Sequence, residues 1–234
     1  MRILCIIPAR SGSKGIKDKN IKEMNGKPLI LYSIDQALNS REYKNGNMRV
    51  IVSTDSERYK EIVERYCEVI IRPDNISGDL SSDIEFMRHV VESIDERYDV
   101  ILHLRPTQPL RRVSDIDKCL SIFSDNYEMY DSLRSVIELK KSPYKMYKKE
   151  GDRLVPYFRE LKLKESIIIE PYNRARQLLP RSYLHNGYID ILKVSLLDIG
   201  RISGDNIYAY VMEEGDSIDI DDMSDWEECE RRLR

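Results

Sequence analysis

The chain has 234 residues and a formal net charge of −3 at pH 7. This charge balance argues against a general binder of nucleic acid or membrane surfaces, since both require a large excess of positive charge. Hydrophobic residues make up 41% of the chain, which is enough for a sizeable core, and we predict one domain over residues 1–234.

Short apolar runs typical of buried parallel strands occur four times, each followed by a loop and a helical pattern. The predicted strands are Ile3–Ile7, Val50–Ser53, Val69–Ile71 and Val100–Leu104. The predicted helices are Leu29–Leu38 behind Pro28, Glu57–Tyr66 behind Ser56, one opened by a Ser82–Glu85 capping box, Asp115–Phe123 behind Ser114, and Ser224–Leu233. This alternation predicts an α/β fold with a Rossmann-like, doubly wound, mostly parallel sheet.

In such a sheet, ligands bind at the carboxyl ends of the strands. Four loops should therefore meet at one edge: Arg10–Asn20, Ser53–Asp55, Arg72-Pro73 and Arg105–Arg111.

The first loop reads Pro8-Ala9-Arg10-Ser11-Gly12-Ser13-Lys14-Gly15 and closes with Lys19-Asn20. Glycines let the backbone approach a ligand and point its N–H groups inward, while the cations supply the charge that a polyphosphate needs. Neither the P-loop pattern G-x-x-x-x-G-K-[ST] nor the dinucleotide pattern G-x-G-x-x-G fits this loop. We predict a triphosphate cradle of another type.

After Glu138 the α/β rhythm gives way to Lys140–Tyr147, a Glu150-Gly151-Asp152 turn and Leu154–Phe158. This pattern predicts an exposed hairpin arm over residues 140–183, approximately. Because aromatic side chains on an arm need cover, we favour an arm that embraces a second chain in a homodimer. The alternative is a loose excursion on the same subunit.

Near the C-terminus, isoleucines and carboxylates alternate in Asp216-Ser217-Ile218-Asp219-Ile220-Asp221-Asp222. On a strand, Asp219 and Asp221 would share one face and point into a cleft, while Ile218 and Ile220 would face the core. The two carboxylates repel each other, and a bound Mg²⁺ removes that cost. We predict a Mg²⁺ site at this pair.

The four cysteines are dispersed, without a C-x-x-C pair, which indicates neither a zinc site nor a disulfide framework. They are Cys5, Cys67, Cys119 and Cys229. The apolar stretch Ile3–Pro8 is too short for a signal sequence. We therefore expect a cytoplasmic protein with no nucleic-acid or membrane partner, and structural roles for His89 and His103.

The N-terminal loop and the Ser217–Asp221 motif resemble signatures of the acylneuraminate cytidylyltransferases, or CMP-sialic acid synthetases, and the resemblance covers nearly the whole chain. It implies CTP and a nonulosonic acid as substrates and Mg²⁺ as cofactor. The implied nucleotide ligands are Arg10, Ser13, Lys14 and Lys19 at the triphosphate, Asn20 at the ribose, and Arg72, Ser81 and Ser82 at the base. The implied catalytic set is Arg10, Lys14, Lys19, Asp219 and Asp221.

At the sugar end the chain departs from the family pattern. The family generally has Leu-Gln-Pro-Thr-Ser-Pro-Leu-Arg, with the glutamine holding the acidic sugar, whereas this chain has Arg105 and Gln108 at the glutamine and serine positions. The family arginine two residues before Asn-Gly is replaced by Leu184, next to His185. The resemblance implies sugar-binding roles for Arg105, Gln108, Arg111, Lys145, Arg176 and Asn186, with Lys145 and Arg176 reaching the neighbouring subunit's pocket.

These departures leave the sugar open. A sialic acid is our main reading, and legionaminic, pseudaminic and eight-carbon ulosonic acids are alternatives. A nucleotide-binding dimer without turnover is a further alternative, against which the Asp219–Asp221 pair argues. The sequence identifies no general base.

Overall fold

The computed structural model describes residues 1–164 and 166–234. The strands are β1 (Ile3–Ala9), β2 (Glu23–Met24), β3 (Lys27–Pro28), β4 (Met48–Thr54), β5 (Glu68–Ile71), β6 (Val100–His103), β7 (Ser132–Glu138), β8 (Tyr147–Glu150), β9 (Arg153–Pro156), β10 (Glu160–Lys162), β11 (Ile167–Ile169), β12 (Tyr183–Lys193) and β13 (Ile207–Met212). The α-helices are α1 (Leu29–Leu38), α2 (Arg41–Lys44), α3 (Glu57–Val63), α4 (Asp83–Glu92), α5 (Val113–Asp125) and α6 (Met223–Arg232).

A seven-stranded sheet in the order β13-β7-β12-β6-β1-β4-β5 forms the centre of the molecule. Strands β6, β1, β4 and β5 run parallel, β12 is antiparallel to both of its neighbours, and β13 is parallel to β7. The predicted α/β class with a Rossmann-like, mostly parallel sheet is confirmed. None of the helices in the described ranges is long and apolar enough to cross a membrane.

Strand β1 is apolar throughout because both faces of the sheet are covered. Ile3, Cys5 and Ile7 belong to one buried cluster, which also contains residues of α1, α3 and α5. Leu4 and Ile6 belong to a second cluster, which contains Phe86, Met87 and Val90 of α4. Alternate side chains therefore pack into two layers, as expected for a central parallel strand.

Most helix boundaries follow the local sequence signals. Helix α1 has the predicted range, and the capping box of Ser82 and Glu85 opens α4. Helix α3 ends at Val63, three residues before the predicted end. Helix α5 begins at Val113, with Arg112 rather than Ser114 as its N-cap residue. Asn25 and Gly26 both have positive φ and form the predicted tight turn, which joins β2 and β3.

The acidic segment near the C-terminus is not the predicted β-strand. It is extended, but its backbone bonds to a loop and not to a strand, since the Ile220 amide donates to the carbonyl of Thr107 at 3.0 Å. The alternation of burial persists: Ile220 is completely buried in a third cluster with Trp226 and Leu29, and Ile218 packs against that cluster. Asp222 and Asp225 form a capping box for α6.

Residues between β7 and β12 form two antiparallel pairs, β8 with β9 and β10 with β11. We name residues 140–183 the arm. Its aromatic side chains stack on each other, with the Tyr144 and Phe158 ring centroids 4.9 Å apart. Leu154 and Tyr157 are nevertheless 67% and 62% exposed.

Replacing Ile220 by alanine should destabilise the protein and release the acidic segment. A buried isoleucine truncated to alanine costs about 2–5 kcal/mol in the free energy of unfolding. Denaturant unfolding of Ile220→Ala measures this loss, with Ile207→Ala as the matched control because Ile207 is 43% exposed. Equal stability of the two variants would contradict the anchoring role of Ile220.

Candidate active site

A cavity of about 420 Å³ opens at the carboxyl ends of β1, β5 and β6, where the predicted loops converge. The predicted site residues that line it are Arg10, Ser13, Lys14, Lys19, Asn20, Arg72, Ser81, Arg105 and Asp221. The cavity wall carries five cationic side chains against the three carboxylates of Asp79, Asp83 and Asp221, a modest excess of positive charge.

The loop after β1 is held in place by its own polar contacts. Asp55, just after β4, accepts hydrogen bonds from the Ser11 amide at 2.8 Å and the Ser11 hydroxyl at 3.0 Å. The side-chain amide of Asn20 donates to the carbonyl of Arg10 at 3.0 Å and closes the loop. These contacts fix the backbone on which Ser13 and Lys14 stand.

Glycine at position 15 lets the loop touch the acidic segment. A Cβ atom at this position would lie 2.3 Å from the carbonyl oxygen of Asp221. No side chain fits such a gap, so the close approach of the two segments requires Gly15.

Lys19 provides the second link between the loop and the acidic segment. Its ammonium group donates to the carbonyl of Ile220 at 2.5 Å and lies 4.0 Å from Asp221 Oδ1. The Lys19 side chain is largely buried, whereas the Asp221 carboxylate is exposed. One cation is thereby held between the cradle loop and the carboxylate.

Two other cations of the loop share one counter-ion. Arg10 Nη1 lies 2.6 Å from Asp79 Oδ1, and Lys14 pairs with the other oxygen of the same carboxylate. The hydrogen bonds from Lys14 and Arg10 hold the pKa of Asp79 below its usual range. The carboxylate of Asp79 thus occupies a position where these cations would meet an anionic ligand.

Asp219 and Asp221 are two carboxylates that repel each other. Desolvation by the surrounding protein raises the pKa of Asp219, the hydrogen bond with Thr107 opposes this, and repulsion from Asp221 adds to the rise. Asp221 lines the cavity, whereas Asp219 is an exposed residue outside the lining, beside Thr107 and Gly187. Within the described part of the chain, no group of three or more His, Cys, Asp or Glu side chains is arranged to hold a metal ion. Mg²⁺ takes one or two carboxylates and obtains its other ligands from phosphate and water, so the chemistry of the pair is compatible with this ion.

Arg72, just after β5, forms another part of the cavity wall. Its guanidinium is buried, donates to the carbonyl of Ser53 at 2.7 Å and lies 5.1 Å from the centroid of the Phe86 ring. Burial lowers the pKa of Arg72. Ser81 lines the cavity beside it, but Ser82 does not, because its amide and hydroxyl both bond to Glu85 in the helix cap.

Arg105 lines the cavity, but two carboxylates already hold it. Nη1 lies 2.6 Å from Asp190 Oδ2, and Nη2 lies 2.9 Å from Asp83 Oδ2. Arg105 thus ties the loop after β6 to β12 and to the start of α4. Its charge is compensated before any substrate arrives.

Gln108 and Arg111 do not reach the cavity surface. Gln108 is completely buried and donates to the carbonyl of Asn186 at 2.6 Å. Arg111 is also buried and donates to the carbonyls of Tyr188 and Arg105 at 2.5 and 2.8 Å. Both side chains donate to buried backbone carbonyls and hold the loop in shape, while Gln108 Oε1 has no partner among the described residues. Their sugar-binding role stays a prediction.

Three further predicted residues lie outside this cavity. Asn186 is partly buried and bonds to the Ser217 hydroxyl at 3.0 Å. Lys145 and Arg176 line a separate cavity of about 300 Å³ at the base of the arm, together with Lys140 and Met146. Within one chain, the structure does not bring Lys145 or Arg176 to the nucleotide cradle.

A family profile described as Cytidylyltransferase matches residues 4–151. The chain belongs to the cytidylyltransferase family. The matched region includes the cradle loop, Arg72 and the loop after β6, so it covers most of the cavity wall.

Two curated relatives and one solved structure illustrate this cytidylyltransferase's similarities. The chain is 34% identical to an N-acylneuraminate cytidylyltransferase of Escherichia coli O18:K1:H7 (strain RS218 / NMEC), over 97% of this chain and 51% of that protein. It is 30% identical to a CMP-N,N'-diacetyllegionaminic acid synthase of Campylobacter jejuni subsp. jejuni serotype O:2, over 96% of this chain and 92% of that protein. The chain therefore spans about half the length of the first relative.

The solved structure is a CMP:2-keto-3-deoxy-manno-octonic acid synthetase complexed with CTP. The TM-score is 0.72 at 18% sequence identity, and the match covers 100% of this chain and 98% of that one. This similarity supports the same fold.

The sequence patterns did not point to the acidic partners of the cavity cations. Asp79 and Asp83 lie in a serine-rich loop and at a helix start, where acidic residues are common for local reasons. Asp190 lies within the apolar strand β12 and is buried. A buried aspartate in an apolar strand is the one signal that could have indicated a partner for Arg105.

Replacing Asp79 by asparagine should tighten binding of nucleoside triphosphate several-fold. The substitution removes a carboxylate that competes with phosphate for Arg10 and Lys14. Isothermal titration with CTP measures the effect, and Asp74→Asn is the control because Asp74 is exposed in the same segment. Weaker binding by Asp79→Asn would show that Asp79 supports the ligand instead of competing with it.

Replacing Arg111 by methionine should destabilise the fold. Burial lowers the pKa of Arg111 to about 10, so the side chain is a buried cation whose loss leaves several acceptors unpaired. Leaving one buried acceptor unpaired costs roughly 1–3 kcal/mol. Chemical denaturation of Arg111→Met, compared with exposed Arg58→Met, checks this; unchanged stability would contradict a scaffold role.

Proposed function

We propose that this cytidylyltransferase transfers the cytidylyl group of CTP to a nonulosonic acid and releases pyrophosphate. One observation carries the proposal: Arg10, Lys14 and Lys19 line the same cavity as the Asp221 carboxylate. Cations that can hold a triphosphate thus face an acidic group that can hold a metal. The names of the relatives support the choice of CTP and of a sugar acid.

In the proposed complex, Arg10, Ser13, Lys14 and Lys19 bind the triphosphate. Asn20 contacts the ribose, and Arg72 with Ser81 contacts the cytosine. Ser82 contributes by fixing the start of α4 behind the base. Fixed cations at the phosphates lower the free energy of the transition state, because the developing negative charge meets donors already in place.

Asp219 and Asp221 would hold Mg²⁺ in this complex, with phosphate oxygens as further ligands. When bound, the ion neutralises charge on the phosphates and the departing pyrophosphate. Lys19, held by the carbonyl of Ile220, keeps a second positive charge beside Asp221.

The anomeric hydroxyl oxygen of the sugar acid forms a bond to the α-phosphorus, and the bond from that phosphorus to the oxygen bridging to the β-phosphorus breaks. The hydroxyl proton passes to water in the cleft. The chain's contribution is to align the two substrates and to compensate their charge.

The sugar acid binds on the β6 side of the cavity, where Arg105 stands. Because Asp190 and Asp83 already compensate Arg105, this arginine shapes the pocket more than it attracts a carboxylate. A sialic acid is the main candidate. A legionaminic acid is the second, favoured by the similarity over 92% of the Campylobacter synthase.

The proposal includes a homodimer joined through the arm. Exposed Leu154 and Tyr157 on the arm support it, because a partner subunit would cover them. Lys145 and Arg176, which lie apart from their own chain's cradle, would then serve the neighbouring subunit's sugar pocket. We propose a cytoplasmic location, where CTP is made.

Pyrophosphate release with CTP, Mg²⁺ and a panel of sialic, legionaminic, pseudaminic and eight-carbon ulosonic acids tests the reaction. Release that requires one acid and Mg²⁺ is the expected result. CTP binding without release on any acid would instead favour a non-catalytic nucleotide-binding protein.

Replacing Asp221 by asparagine should lower kcat by roughly 10²–10³, the usual cost of removing one electrostatic contact to the transition state. The Mg²⁺ concentration for half-maximal rate should rise in parallel. Asp198→Asn is the control, because Asp198 is exposed outside the cavity. An unchanged Mg²⁺ dependence in Asp221→Asn would contradict the metal role.

A further inference from the structure

His103, the last residue of β6, has a polar atom for which the described protein offers no partner. The side chain is 1% exposed and lines the cavity. Its Nε2 atom is buried and makes no hydrogen bond to any described residue. Because a buried polar atom without a partner costs free energy, an orphan on a cavity wall points to a ligand that completes it.

The surroundings of His103 determine which ring nitrogen carries the proton. Nδ1 lies 3.8 Å from Asp190 Oδ2, and Asp190 also holds Arg105 and His185. Although burial raises it, the hydrogen bond from His185 and the Arg105 charge hold the pKa of Asp190 below its ordinary value. At 3.8 Å the two atoms are too far apart for a hydrogen bond, but the negative carboxylate favours a proton on the nearer nitrogen, Nδ1. In that tautomer Nε2 is an acceptor.

The ring is neutral at physiological pH. Burial lowers the pKa of His103 to about 3, and the positive charge of Arg105 adds to this effect. The side chain is therefore a poor general base and a poor partner for a carboxylate. It is well suited to accept a hydrogen bond from a hydroxyl or amide N–H group.

The position of His103 indicates which substrate it meets. His103 ends β6, and Arg105 follows two residues later in the next loop; both residues line the cavity. The Phe86 ring packs edge-on to the imidazole at 5.6 Å and has the Arg72 guanidinium over it, so Phe86 lies between His103 and the cytosine side of the cavity. His103 thus faces the half of the cavity that is left for the sugar acid.

We infer that His103 is a specificity-determining residue that accepts a hydrogen bond at Nε2 from a hydroxyl or amide N–H substituent of the sugar acid. The inference rests on the proposed function for the identity of the substrate. It replaces the purely structural role predicted from the sequence. Sugar acids with a methyl or other apolar substituent at that point would leave Nε2 unpaired and react poorly.

Two substitutions separate this role from a structural one. His103→Leu fills the site with an apolar side chain and removes the acceptor, whereas His103→Gln retains a polar group. His89→Gln is the control, because His89 lies on α4 outside the cavity lining. We expect His103→Leu to raise KM for the preferred sugar acid about tenfold, with CTP affinity and melting temperature maintained. His103→Gln should recover part of the loss.

An unchanged KM for the sugar acid in His103→Leu would overturn the inference, and so would an equal loss of CTP affinity. The inference would also be overturned if His103→Leu lowered the melting temperature enough to explain the lost activity. In that event His103→Gln would not selectively recover the KM for the sugar acid.

A second readout does not depend on turnover. Nitrogen-15 NMR of histidine-labelled protein, assigned with His103→Leu, should show an unprotonated Nε2 that shifts when the sugar acid is added to the CTP-bound protein. A shift with CTP alone, or none with any acid of the panel, would overturn the inference. Absence of pyrophosphate release from the wild type, with the Nε2 shift intact, would instead count against the proposed reaction only.

Discussion

The contact between the cradle loop and the acidic segment is the constraint on which the site depends. Lys19 and Ile220 are separated by 201 residues, yet the Lys19 ammonium donates directly to the Ile220 carbonyl. Gly15 allows the loop to lie against the backbone of Asp221, and the buried Ile220 side chain holds the segment in the core. Without this closure, the cations and the carboxylates of the cavity would be on unconnected parts of the surface.

The second supporting element is the polar network around the loop after β6. Arg111 and Gln108 use their side chains to satisfy buried carbonyls, and Arg105 bridges Asp190 and Asp83. Such a network is rigid only when its members are paired, because an unpaired polar group is costly in a low-dielectric interior. Two buried atoms of this region, Gln108 Oε1 and His103 Nε2, have no partner among the described residues. Of the two residues only His103 lines the cavity, so its orphan atom is the informative one.

The sequence predicts the positions of many strands and helices well and the contacts between polar side chains poorly. Apolar runs and cap signals located β1 and α1, since burial and capping are local properties of the chain. The alternation of the acidic segment predicts a strand, but the same alternation of burial also arises in a segment that packs on a loop, as Ile220 does on Thr107. The contacts of Arg111 and Asp79 cannot be predicted from the sequence. A charged residue in a loop has the same local sequence pattern whether it contacts solvent, a ligand or a buried carbonyl.

A crystal structure with bound CTP and Mg²⁺ tests the central claim most directly. The account predicts the triphosphate on the Arg10–Asn20 loop, the ion at Asp219 and Asp221, and the Asp79 carboxylate displaced from Arg10 and Lys14. A nucleotide bound elsewhere, with the pairs of Asp79 intact, would contradict it.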